Sequence, residues 1–208
     1  MKKGLLITLE GPDGSGKTTQ INLLEEYLKE KGYEVLKTRE PGGTSISEKI
    51  RDIILDNHNV KMCGMCEALL YAASRAQLVN EVLKPAIEEG KIVICDRFVD
   101  SSIVYQGIGR GLGVDRIRSI NEAALDGLCT DITIMLTLPY DEGLKRKYKQ
   151  KIFDRLENSG EEFHKKVFEG YLEISRKCDK IKTVDANTSI ENVHKDIIQI
   201  VNKFLKCN

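Results

Sequence analysis

Apolar positions along the chain fall into two alternating rhythms. Short apolar segments occur at Leu5–Leu9, Glu34–Thr38, Lys91–Cys95, Ile132–Leu138 and Ile181–Val184. Runs of this length, without alternation, predict strands buried on both faces. Helical spacing fills the intervals. Ile21, Leu24 and Leu28 share one face of a first helix, and Gly32 stands where a helix stop belongs. Ile46, Ile50, Ile53 and Ile54 mark a second helix after the turn Pro41-Gly42-Gly43. From Glu67 to Glu89, Leu69, Ala72, Ala73, Ala76 and Val79 lie on or near one face; Pro85 should break or kink this helix and Gly90 end it. Gly107, Gly109, Gly111 and Gly113 predict an irregular loop. Val114–Leu125, Glu161–Cys178 and Ile190–Leu205 predict further helices. Strands alternating with helices imply an α/β fold with a parallel sheet and helices on both faces. With no repeat, low-complexity segment or linker, residues 1–208 read as a single domain.

Composition narrows the function classes. The 208 residues are 41% hydrophobic and 31% charged, with zero formal net charge. No global charge points to nucleic acid or to an anionic membrane as partner. No apolar stretch approaches the length of a membrane span. Met-Lys-Lys runs straight into the first strand, so no signal peptide is expected and the cytoplasm is implied. The six cysteines are then expected to be reduced. Cys63 and Cys66 are the one close pair; zinc, redox chemistry and incidental thiols are the three readings, and no second pair supports zinc.

Chemistry enters at Gly11-Pro12-Asp13-Gly14-Ser15-Gly16-Lys17-Thr18, which fits the phosphate-loop pattern at every fixed position, between a strand and a helix. Its glycines let backbone N–H groups turn inward onto a phosphate at the helix N-terminus. Lys17 can reach the outer phosphates and Thr18 can ligate Mg²⁺. Asp96-Arg97 follows the third strand, where an acidic residue can organise the metal; the alternative is a strand-end salt bridge. Thr38-Arg39-Glu40-Pro41-Gly42-Gly43-Thr44 opens on the same sheet edge, although exposed charges around a turn would look alike. Tyr71 and Arg75 lie four residues apart on one helical face, able to hold a planar base, or else a core tyrosine beside a surface arginine.

Together, Gly11–Thr19, Thr38–Thr44, Tyr71–Gln77 and Asp96–Gly107 resemble the bacterial thymidylate kinase family, and the resemblance runs nearly end to end. It implies a three-layer P-loop fold with a five-stranded parallel sheet and a short basic lid at about residues 142–157. It implies transfer of the ATP γ-phosphoryl group to dTMP with Mg²⁺, and a homodimer, with helices at 67–79 and 114–125 as candidate faces. ATP would meet Gly11–Thr19, with Asp185 and Ala186 near the adenine. Asp13, Glu40, Arg51 and Arg97 would line the dTMP sugar and phosphate region, with Arg39 nearby. Tyr71 would stack on thymine, Arg75 would bond a base carbonyl, Ser102 and Gln106 would contact the base, and Tyr105 would pack near the deoxyribose. Thr18 and Asp96 would serve the metal. Phe98 departs from the tyrosine usual after Asp-Arg.

Bringing two anions together demands cations and exclusion of water. Lys17 and Arg97 are candidates. The phosphate loop carries no arginine, so the lid is expected to supply one through Arg146, Lys149 or Arg155; a solvated basic helix face is the plainer reading of that segment. A GTPase would need an Asn-Lys-x-Asp stretch, which Asn202-Lys203-Phe204-Leu205 is not. A non-catalytic nucleotide switch would break the phosphate loop or lose Arg97, and neither occurs. A kinase for another nucleoside monophosphate or a deoxynucleoside is the remaining alternative.

Overall fold

The computed structural model describes residues 4–147 and 153–207. Five strands, β1 (Leu5–Glu10), β2 (Val35–Arg39), β3 (Ile92–Asp96), β4 (Ile132–Thr137) and β5 (Ile181–Asp185), form one sheet in the order β2-β3-β1-β4-β5. Every pairing is parallel. Each strand lies within a residue or so of its expected segment; the central strands β1, β3 and β4 are nearly continuous apolar runs, as doubly covered strands require, while the edge strands β2 and β5 carry exposed polar residues.

Helices cover both faces. On one, Ile21, Leu24 and Leu28 of α1 (Lys17–Glu30) join Val193, Ile197 and Val201 of α9 (Ile190–Cys207) over Ile7, Leu9 and Ile134. On the other, Leu78, Val79 and Leu83 cover Leu6, Val93 and Cys95, while Val104, Ile117, Val167 and Tyr171 gather around Met135. The remaining helices are α2 (Ser45–Leu55), α3 (Gly64–Leu78), α4 (Lys84–Glu88), α5 (Val99–Ser102), α6 (Val114–Leu125), α7 (Tyr140–Lys147) and α8 (Glu161–Ser175).

Three expectations need correction. The stretch from Gly64 to Glu88 stays helical through Pro85: residues Val79–Leu83 widen into a π-turn, and Lys84 N–H reaches back to Val79 O. Pro85 then falls in the opening turn of α4, where a missing N–H costs little. The buried stripe of α3 is also rotated from the apolar pattern. Leu69 and Ala73 are exposed, whereas Ala68, Ala72, Ser74, Arg75 and Leu78 are buried, since this helix turns polar groups inward as well. Finally, Gly107 and Gly109 lie in a second π-segment, Ile103–Gly109. A Cβ at Gly109 would stand 2.7 Å from the Phe163 ring, so this glycine serves the close approach of α8 rather than a loop.

The parallel register brings the carboxyl ends of three strands to one edge. Leu9 and Arg39 both pair with Asp96, so the residues that follow them, Glu10-Gly11, Glu40 and Arg97, emerge side by side. Ligands of open α/β sheets bind at this edge.

Candidate active site

Gly11 leaves β1 with φ +137°, and a Cβ there would sit 2.4 Å from Leu136 O of β4. Only glycine passes that gap, which fixes the phosphate loop against the sheet. Lys17, nearly buried, curls back and donates to Gly11 O at 2.9 Å and Pro12 O at 3.0 Å. Burial first, and the neighbouring Arg97 second, lower its pKa to about 8. A cavity of ≈ 350 Å³ opens over Gly14, Gly16, Lys17, Thr18, Thr19, Arg39 and Asp96. Thr18 Oγ1 lies 3.5 Å from Asp96 Oδ2. A hydroxyl and a carboxylate are the hard oxygen donors that Mg²⁺ prefers, with phosphate and water completing its shell, so the pair fits that ion. Among the described residues no cluster of three or more His, Cys, Asp or Glu side chains could hold a metal alone.

Arg97 sits at the centre. Its φ of +66° places a non-glycine residue in the left-handed region, a strain of about 1–3 kcal/mol that surrounding contacts must offset. Those contacts are numerous. Nη1 donates to Gly11 O (3.1 Å), Ser101 Oγ (3.2 Å) and Tyr171 Oη (2.9 Å), and Nη2 pairs with Asp13. The guanidinium also lies 5.3 Å from the centre of the Tyr105 ring. Behind it, Glu10 accepts from Phe98 N–H (2.7 Å), Ser101 Oγ (2.6 Å) and Tyr171 Oη (3.2 Å). Burial and the nearby Asp100 raise the Glu10 carboxyl to about 7.

A second cavity of ≈ 380 Å³ adjoins the first, and both share Asp13, Thr18, Glu40, Arg51, Arg97 and Glu157. Its far end is lined by Leu55, Tyr71, Arg75, Phe98, Tyr105, Gln106 and Leu156. Arg75 is 1% exposed, so the surface-arginine reading does not hold. Its Nε donates to Glu40 Oε2 at 2.8 Å and its Nη1 to Ser102 Oγ at 3.2 Å and to Asn121 Oδ1, while Phe98 stacks 5.3 Å away. Ser102 therefore lies behind Arg75, and Ser101 is the serine on the cavity wall. Arg39 and Arg51 both donate to Pro41 O, at 2.8 and 3.0 Å. Burial, then Arg39, lower the Arg51 pKa; two cations converging on one carbonyl make a place suited to an anion.

Asp154, Leu156 and Glu157 border the second cavity, and Glu157 borders the first as well. Arg146 Nη1 donates to Ala186 O at 3.3 Å, beside Asp185 at the end of β5. Arg155 turns the other way: its Nε donates to Ile54 O at 2.7 Å, and its Nη2 stands 2.8 Å from Glu67 Oε2. Lys149 lies outside the described residues. Cys63 Sγ accepts from Cys66 N–H at 3.4 Å and caps α3, so the spacing of that pair marks a helix start. Both thiols are exposed and unbonded.

Glu10, Glu67, Asn121 and Tyr171 escaped the sequence reading. For Glu67 a signal existed: Glu67, Tyr71 and Arg75 recur every four residues along one face of α3. Glu10 ends an otherwise apolar strand, a position where an acid has to face either water or a partner.

A phosphate loop at the strand ends, a cation-rich junction and an adjoining nucleoside-sized cavity define a P-loop phosphotransferase that handles two ligands side by side. The thymidylate kinase family profile matches residues 9–197, and the chain belongs to that family. A thymidylate kinase of Thermoanaerobacter sp. (strain X514) is 52% identical over 204 residues, covering 98% of this chain and all of that protein. One from Finegoldia magna is 49% identical over 199 residues, covering 96% and 98%. The crystal structure of thymidylate kinase from Ehrlichia chaffeensis matches with TM-score 0.78 and 33% identity, over 96% of this chain and 99% of that one.

Proposed function

We propose that the chain is an ATP-dependent dTMP kinase: the bond from the ATP γ-phosphorus to the bridging oxygen breaks, and a phosphate oxygen of dTMP bonds to that phosphorus, giving ADP and dTDP. The observation that carries the reading is the shared wall. Asp13, Thr18, Glu40, Arg51 and Arg97 border both cavities, so a donor phosphate over Lys17 and an acceptor phosphate beside Arg97 would meet across a few ångströms.

The acceptor is already an oxyanion, so no general base is needed, and positioning with charge neutralisation does the catalysis. Backbone N–H groups of Gly14–Thr19 and the Lys17 ammonium hold the donor chain. Thr18 and Asp96 would hold Mg²⁺, which would supply neutralisation of phosphate charge. Arg97, tied in place by Asp13 and Tyr171, steers the acceptor phosphate, with Arg39 and Arg51 adding positive charge. Tyr71 stacks on the base, Arg75 and Gln106 read its edge, and Tyr105 borders the sugar. Arg146 or Lys149 supplies the lid cation; Arg155, expected as a third candidate, is held by Ile54 O and Glu67 instead.

The whole chain acts as one such unit with a lid at about 142–157, in the cytoplasm, without nucleic acid or membrane as partner. Among the described residues no helix is long and apolar enough to cross a membrane. A homodimer is part of the same reading; Leu69 and Ala73, four residues apart and exposed on α3, suit a shared face beside α6.

The test is an acceptor panel with ATP and Mg²⁺: dTMP, dUMP, UMP, dCMP, dAMP and thymidine. dTMP should show the highest kcat/KM. A higher value for another monophosphate, or for thymidine, would install the alternative kinase instead. Light scattering of the purified chain tests the dimer.

A further inference from the structure

Glu67 lies outside the set of residues that touch ligand, yet it is fully buried and collects more polar partners than most site residues. Gln106 Nε2 donates to its Oε1 at 2.9 Å. Arg110 grips both oxygens, with Nε 3.2 Å from Oε1 and Nη2 3.1 Å from Oε2. Arg155 Nη2 adds a charge contact 2.8 Å from Oε2. Burial alone would raise this carboxyl, but Arg110, Gln106 and Arg155 outweigh it and hold Glu67 below the usual carboxylate range.

An ionised carboxylate only accepts hydrogen bonds. The amide of Gln106 therefore has one allowed orientation: its NH₂ must face Glu67. Its Oε1 is left buried, without a hydrogen-bond partner, on a residue that lines the acceptor cavity. A buried orphan acceptor is costly unless something donates to it.

We propose that Glu67 is a positioning residue that fixes Gln106 as an acceptor, so that the cavity selects pyrimidines carrying a ring N–H at position 3 over those carrying a lone pair there. Thymine and uracil are of the first kind and cytosine of the second. The inference rests on the base lying against Gln106, as proposed above. It explains why an arginine cluster faces away from the ligand: Arg110 and Arg155 keep the carboxylate charged and immobile. Arg75 adds its own preference for a base carbonyl, so loss of the Glu67 constraint should weaken discrimination rather than reverse it.

Glu67→Gln tests this directly. An amide NH₂ at the Oε2 position would face two arginine donors. At the Oε1 position it would face Arg110 Nε and Gln106, and Gln106 can turn over to accept. The substitution should therefore flip Gln106 and present a donor to the base. The expected result is a fall of about tenfold or more in the dTMP-to-dCMP ratio of kcat/KM, with the KM for ATP little changed. Glu67→Asp, which still only accepts, should keep the ratio even if stability falls. Gln106→Leu should lose it.

An unchanged ratio in Glu67→Gln, with all acceptors reduced equally, would make Glu67 merely structural and overturn the proposal. Should Glu67→Gln fail to fold, Glu67→Asp and Gln106→Leu decide: ratio kept in the first and lost in the second supports the proposal, and any other pairing overturns it. Equilibrium binding of dTMP and dCMP is measured alongside. A parent protein that binds dTMP selectively but does not phosphorylate it would sink the kinase reading while leaving Glu67 testable.

Discussion

Arg75 Nε donates to Glu40 Oε2 across 2.8 Å, and both side chains are almost wholly shielded from water. Opposite charges buried this deeply are stable only as a pair, because desolvating either alone is costly. Arg75→Ala should destabilise the fold by about 3–5 kcal/mol in denaturant titration, since Glu40 would stay buried with its partner gone. It should also raise the KM for dTMP more than that for ATP. Equal effects on the two substrates would count against Arg75 as a contact of the base.

Lys17 sets a pH limit. Burial and Arg97 lower its pKa to about 8 from 10.5, so between those values the unfolded chain holds the proton and the fold does not. Its contribution to stability therefore rises with pH across that window, and it is least favourable below pH 8. Activity moves the opposite way, since the neutral amine cannot hold phosphate. In the free enzyme kcat/KM for ATP should decline above about pH 8, whereas kcat should persist to higher pH because bound phosphate restores the ammonium. Coincident limbs for the two parameters would count against Lys17 as the phosphate ligand. Lys17→Ala should fold and lose about 3 kcal/mol or more of transition-state stabilisation.

Tyr105 is 6% exposed, stacked under Arg97 and wedged edge-on between Phe163 and Tyr171. So fixed a ring cannot retreat from a ribose 2′-hydroxyl. Tyr105→Ala should narrow the preference for dUMP over UMP by about tenfold, while Tyr105→Phe should keep it. The ratio of kcat/KM for the two acceptors is the measurement.

The two described lid arginines should behave differently. Among the described residues Arg146 donates to Ala186 O at 3.3 Å, whereas Arg155 is fastened to Ile54 O and Glu67. Arg146→Ala should lower kcat by about a hundredfold with little change in the KM for dTMP, as removal of a transition-state charge does. Arg155→Ala should act through dTMP binding instead. If Arg146→Ala turns over like the parent, the lid cation is Lys149 or the charge comes from Lys17 and Arg97 without lid help.

The three central strands are legible because they are nearly continuous apolar runs, the edge strands β2 and β5 because they keep a short apolar core between helical segments, and the phosphate loop because its spacing is rigid. Arg97 and Asp96 were legible because they follow a strand. Gly109 was misread because the same residue that permits turns also permits a helix to press against Phe163, and only the fold distinguishes them. Glu67 stayed hidden because its partners, Arg110 and Arg155, lie 43 and 88 residues away, where no local pattern can register the pairing. Tyr171 gives no local signal, because its hydroxyl meets Arg97 only once α8 is docked.

The end of the lid from Phe153 onward is laced to the α2 side by several bonds: Asn57 Nδ2 to Phe153 O, Arg155 N–H to Leu55 O, and Asn158 Nδ2 to Asn57 Oδ1. If this segment is the lid proposed above, the fastening would leave α7, beside Asp13 and Ala186, as the end that swings. Departure of the two products should then be unequal. On the proposed reading ADP would leave by the swinging side, while dTDP, in the cavity that Asp154, Leu156 and Glu157 line, would wait for the laced end to loosen. Turnover would be paced by the slower exit, and a rapid first round of dTDP formation followed by a slower steady rate is the signature to look for in a quenched-flow trace.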